Sequence, residues 1–135
     1  MKKKSIILNA AFLCLPVLFI SQVSFSQTTI VAYGSTWKYL DNNTRPASWE
    51  TSGFNDAAWS SGPSELGYGD APVTTVSYGP DANNKYITTY FRQSVTIANP
   101  GLYSNFTLNV RRDDGVVVYI NGVERYANNM PAGRL

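Results

Sequence analysis

Side chains able to do chemistry are few in this chain of 135 residues, and two short stretches bring some of them together. In Arg112-Asp113-Asp114-Gly115, adjacent carboxylates lie on a turn. Such oxygen donors suit a hard cation like calcium, which gathers about six to eight oxygens. The same pattern also makes an ordinary turn ahead of a strand, and Arg111 or Arg112 can simply pair with either acid. In Gly67-Tyr68-Gly69-Asp70, a ring and a carboxylate share a glycine-rich loop. A tyrosine there offers an apolar face to the C–H side of a pyranose and a polar tip to its hydroxyls. Trp37, Trp49 and Trp59 offer similar stacking surfaces, although large rings near strand ends more often plug a sandwich than bind a ligand. The candidate ligand-binding residues are therefore Tyr68, Asp70, Asp113, Asp114 and Trp37. The metal question stays open, with calcium as the one cofactor chemistry in view.

Histidine is absent, and the sole cysteine, Cys14, lies in an apolar run. Ser-His-Asp and Cys-His catalysis, histidine or thiolate metal sites, disulfides and a histidine pH switch are all excluded. Catalysis would fall to carboxylates, which glycosidases hold about 5–9.5 Å apart across a cleft. Glu50, Asp56, Glu65, Asp70, Asp81, Asp113, Asp114 and Glu124 supply such groups, but no spacing nominates a pair, so an enzyme is not expected. Gly67-Tyr68-Gly69 begins like a nucleotide-binding fingerprint, yet Pro72 stands where the third glycine belongs. From Gln27 onward, 8 basic residues face 9 acidic ones, a net charge of −1. Neither nucleic acid nor an anionic membrane surface is expected as a partner.

Residues 1–26 read as a secretory signal of bacterial type: Lys2, Lys3 and Lys4, then an apolar run over residues 6–20, then Ser24 and Ser26 before a cleavage point at Gln27. The run is shorter than the roughly 20 residues that span a hydrocarbon core, so no membrane association is expected once the signal is removed. Lipid attachment at Cys14 is disfavoured because Leu13 occupies the place of a small residue. The mature chain is expected outside the cytoplasm, secreted or on the cell surface.

Residues 27–135 contain 3 Trp, 9 Tyr and 3 Phe together with 10 Gly and 6 Pro, a mixture that favours strands and turns over helices. Alternation over residues 86–97 predicts a long half-buried strand, with Ile87, Phe91, Val95 and Ile97 inward and Tyr86, Thr88, Tyr90, Arg92, Ser94 and Thr96 outward. Residues 105–111 predict its antiparallel partner, with Phe106, Leu108 and Val110 inward. Residues 116–120 read as a central strand that Asn121-Gly122 turns back through a type I′ hairpin into residues 123–126. Residues 28–33, 36–40 and 73–77 are shorter strand candidates. One helical turn is plausible at residues 54–59, capped by Asn55. With no helical stripe or repeat, the layers must be sheet on sheet, an all-β sandwich. Only six or seven strands can be found, so the module at residues 27–135 is expected to lack its last strands and to be the front part of a longer protein or a truncated reading frame.

A series of motifs occurs in order: Trp37-Lys38-Tyr39-Leu40-Asp41, Trp49, Phe54-Asn55-Asp56-Ala57-Ala58-Trp59, Gly62-Pro63-Ser64-Glu65-Leu66-Gly67-Tyr68-Gly69-Asp70, Tyr86-Ile87-Thr88-Thr89-Tyr90-Phe91-Arg92, and residues 112–122. This series resembles galactose-binding-like jelly-roll domains of secreted bacterial proteins, similar to the sugar-binding domain that precedes the catalytic barrel in some β-glycosidases. The resemblance implies a jelly-roll β-sandwich and a non-catalytic accessory role, carbohydrate-binding or structural, with glycans or cell-envelope components as partners and further domains covalently linked downstream. It also suggests a likeness of Asp113-Asp114 to the paired aspartates of calcium-dependent lectin domains. The alternative expectation is the lead segment of a secreted hydrolase, a metallophosphoesterase or glycosidase, whose catalytic domain lies beyond Leu135.

Overall fold

The computed structural model describes residues 27–131; the expected export signal, Cys14 and the last four residues lie outside this range. The described chain is all-β. In order come β1 (Thr36–Leu40), β2 (Ser60–Pro63), β3 (Leu66–Gly67), β4 (Thr74–Thr75), β5 (Tyr90–Arg92), a 3-10 turn (Pro100–Leu102), β6 (Val116–Ile120) and β7 (Val123–Asn128). They form three small sheets, of order β2-β1-β5, β3-β4 and β6-β7.

β1, in which aromatic and β-branched residues fit a pleated surface, is the centre of the largest sheet. It pairs antiparallel with both neighbours, so that Lys38 lies opposite Ser61 on one side and Arg92 on the other, and Leu40 lies opposite Tyr90. Side chains opposite one another share a face. Lys38, Leu40, Tyr90 and Arg92 therefore line one face, and residues 48–59 fold over it. Trp49 sets its ring edge-on to Tyr90 at 4.8 Å and to Tyr119 of β6 at 5.6 Å, while Phe54 meets Trp59 at 5.6 Å. Each such pair contributes about 0.5–1.5 kcal/mol beyond the area it buries. Trp59 and Tyr90 are buried here, and Val76, just after β4, is the third buried apolar residue among those described.

The sequence assigns residues 86–97 to one long strand with Ile87 and Phe91 inward; the structure corrects both points. Only Tyr90–Arg92 pair, and the faces are exchanged: Tyr90 is 7% exposed while Ile87 is 83% exposed. The inward face is decided by what covers it, and the cover provides rings for Tyr90 and hydrogen-bond acceptors for Arg92. Residues 105–111 likewise form no strand, and Phe106, Leu108 and Val110 are exposed, since no described sheet faces them. Residues 28–33 are also outside any strand. Residues 54–59 make turns rather than a helix: the Ala57 N–H donates to Asn55 Oδ1 at 3.0 Å and the Trp59 N–H to the Asp56 carbonyl at 3.0 Å.

The hairpin expectation holds. Asn121 (φ 52°) and Gly122 (φ 80°) both take the left-handed backbone that a type I′ turn requires. β6, expected as a central strand, pairs with β7 alone and is half-buried. A bulge sits between Val118 and Tyr119, whose partners are Tyr126 and Glu124. At the hairpin's open end the chain passes very near itself, and a Cβ on Gly115 would lie 2.6 Å from the Asn129 carbonyl oxygen.

Gly115→Ala is expected to cost about 1–3 kcal/mol, the usual penalty for overpacking, and urea denaturation would read it as a lower midpoint at unchanged slope. Burial pushes the Tyr90 phenol above its ordinary value near 10, partly opposed by Arg45 and by a hydrogen bond with Thr88. Above pH 10 the unfolded chain releases a proton that the native state retains. The stability this burial allows is therefore whole below that pH and declines as pH climbs through the folded value. Melting temperatures recorded from pH 8 to 11 should fall more steeply for the wild type than for Tyr90→Phe.

Candidate functional site

Arg92 organises the clearest site. Extended backbone in β5 delivers it onto the covered face, where its side chain is 11% exposed. Its Nε donates to Asp56 Oδ2 at 2.9 Å, Nη1 donates to the carbonyls of Trp49 and, at 3.1 Å, Thr51, and the guanidinium lies 5.2 Å from the Phe54 ring. Asp56 reaches it because the turn begun by Asn55 holds residues 55–59 in a tight arc. Beside it Lys38 donates from Nζ to the Trp59 carbonyl at 3.4 Å.

The β1–β5 ladder ends at Lys38 and Arg92. The chain after β5 leaves the sheet at that point, and an open cleft of about 350 Å³ appears, lined by Thr36, Trp37, Lys38, Asp56, Ser61, Arg92, Gln93 and Ser94. Small-molecule sites begin at roughly 300 Å³. Its lining residues include a tryptophan, two cationic residues, an acid, a serine and a glutamine, with Trp37 beside Lys38 in β1 and Gln93 just after Arg92. The Gln93 Oε1 is enclosed and accepts no hydrogen bond from any described residue. A buried acceptor left so costs about 1–3 kcal/mol.

Of the residues singled out from sequence, Trp37 belongs to this cleft. Tyr68 and Asp70 lie in the loop between β3 and β4, where Gly69 (φ 90°) and Ala71 (φ 52°) turn the chain. Tyr68 packs edge-on against Tyr78 at 5.3 Å, and the Lys85 ammonium stands 4.9 Å over its ring. Those contacts use the ring to bind two parts of the chain together. Asp113 and Asp114 sit in the turn before β6. There Asp113 Oδ1 accepts the Asp114 N–H at 2.9 Å, and the Asp114 carbonyl accepts from Arg112 and, at 3.1 Å, from Asn129 Nδ2. Asp114 at φ 58° accounts for an acid-glycine turn without a ligand. No third acidic, histidine or cysteine side chain joins the pair among the described residues. No hydrogen bond, ion pair or ring contact among the described residues links Trp37, Tyr68 and the Asp113-Asp114 turn to one another.

Lys38, Arg92 and Gln93 were not singled out from sequence, and Asp56 stood only among eight carboxylates. Their common signal was weak but present: Lys38 adjoins Trp37, and Asp56 lies in the Phe54-Asn55-Asp56 turn.

Asp56→Ala leaves the Arg92 charge shielded from water without its counter-ion. Breaking such a pair costs about 3 kcal/mol, and an Asp56→Ala, Arg92→Met double mutant, which removes both charges, should lose less than the two single changes added together when unfolding free energies are compared. Comparison with protein-family models, curated proteins and solved structures finds no match for this chain.

Proposed function

We propose that the chain is an exported, non-catalytic accessory module of galactose-binding-like jelly-roll type that binds carbohydrate. The all-β architecture, the ordered series of motifs over residues 37–122 and the signal-like residues 1–26 support the assignment. The observation that carries the binding role is the cleft at the end of the β1–β5 ladder, which Trp37, Asp56, Arg92 and Gln93 all help to line. Sugars are recognised by this mixture: an apolar ring for the C–H face and fixed polar groups that exchange hydrogen bonds with hydroxyls. The cleft is open rather than enclosed, which suits the end or side of a polymer.

A glycan array probed with the full chain tests the reading. Binding to at least one carbohydrate class is expected, with Trp37→Ala weakening it about tenfold, equivalent to about 1.4 kcal/mol of lost contact, and Tyr68→Ala leaving it unchanged. Silence across the array, or equal binding by the Trp37→Ala variant, would overturn it.

A further inference from the structure

We infer that the cleft takes an acidic sugar, one bearing a carboxylate or a sulfate, in preference to a neutral sugar of the same shape. The inference rests on the carbohydrate reading above and adds the charge of the ligand. A donor inventory carries it. A guanidinium has five N–H groups and an ammonium three. In Arg92, Nε is committed to Asp56 and Nη1 to the carbonyls of Trp49 and Thr51. Nη2 takes part in none of these contacts. Lys38 commits one N–H to the Trp59 carbonyl at 3.4 Å, a long contact.

The register sets these donors side by side, because Lys38 lies opposite Arg92 and their side chains share a face. Against them stands Asp56, with one oxygen already engaged by Arg92. Glu50 follows Trp49 on the covering loop but pairs with neither cation. The ionised side chains lining the cleft are Lys38, Arg92 and Asp56, a local charge of +1, whereas residues 27–135 together carry −1. An excess of positive donors over acceptors is poorly matched by hydroxyls, which bring as much donor as acceptor. An anionic group brings acceptors only, and its hydrogen bonds to ammonium and guanidinium are roughly twice as strong as neutral ones.

Titration calorimetry of the full chain with three oligosaccharides of one backbone decides the matter: a galacturonic acid oligomer, its carboxyl-reduced neutral counterpart and a sulfated form of that counterpart. At least tenfold tighter binding of one or both anionic forms over the neutral one is expected, with a preference that shrinks as salt rises. The two anionic arms distinguish carboxylate from sulfate. Lys38→Met, which keeps the apolar stem, should bring the acidic-to-neutral ratio close to one, and Lys38→Arg should preserve it. Equal affinity for acidic and neutral forms in the wild type overturns the inference while leaving carbohydrate binding intact; a ratio undiminished by Lys38→Met also overturns it. Absence of binding to all three, with a silent array, removes both readings. The salt dependence of the wild-type ratio decides the point even where a Lys38 variant fails to fold.

Discussion

A guanidinium enclosed by protein has to be met by acceptors. Arg92 is met by a carboxylate and two carbonyls that lie 36 to 43 residues earlier in the chain. That requirement fixes the path of residues 48–59. Once Asp56, Trp49 and Thr51 are drawn to Arg92, the rings of Trp49, Phe54 and Trp59 have nowhere to go but the face of the β2-β1-β5 sheet. Trp49 covers Tyr90 there and carries the contact on to Tyr119 of the β6-β7 hairpin. The polar knot and the aromatic cover are parts of one arrangement, and neither has an independent reason to sit where it does. An exposed ion pair, such as Arg111 with Glu65 at 2.8 Å, exerts no comparable control, because water competes for both partners.

Aromatic rings carry an unusual share of this core. Among the described residues the buried apolar side chains are two aromatics and one valine, while aliphatic residues at 87, 95, 108 and 110 are exposed. Rings bury much area on few side chains, so a short loop can cover a three-stranded sheet that would otherwise need a second sheet. The exposed aliphatics keep the alternation of strands without the partners that would make them strands. Alternation records which side chains share a face; pairing needs a neighbouring ladder, and Tyr90–Arg92 has one in β1.

This difference explains what could be read in the sequence. Asn121-Gly122 specifies its own turn, because positive φ at two successive positions is a local demand, and β1 and the β6-β7 hairpin were legible for the same reason. The face of residues 86–97 was misread because hydrophobicity ranks Ile87 and Phe91 above Tyr90 and Arg92, whereas the structure ranks them by what lies opposite. That partner, Asp56, is non-local, and nothing at Arg92 itself announces it. The cleft was less legible still. Trp37 was found as a ring able to stack, but Lys38, Arg92 and Gln93 come together only through strand register and the end of a ladder, which are properties of pairing rather than of composition. Tyr68 and Asp113-Asp114, conspicuous in sequence, turn out to have ample local employment in a ring pair and a tight turn.

The same arginine that organises the loop also lines the cleft, so the proposed recognition would draw on the atoms that hold the loop. Nε and Nη1 face into the loop and are committed, while Nη2 takes part in none of those bonds. A rigid planar guanidinium can serve both sides at once, since its donors are fixed at different angles, whereas an ammonium on a flexible stem would have to choose. Occupying the Nη2 side does not require releasing the committed side. A ligand that binds there holds Arg92 in the position the loop already demands, and it stabilises the folded chain in proportion to the logarithm of its concentration over its dissociation constant. Preorganisation here thus has a definite source: the acceptors that fix the guanidinium for the loop also fix it for whatever approaches from the cleft, so little side-chain entropy remains to be lost on binding.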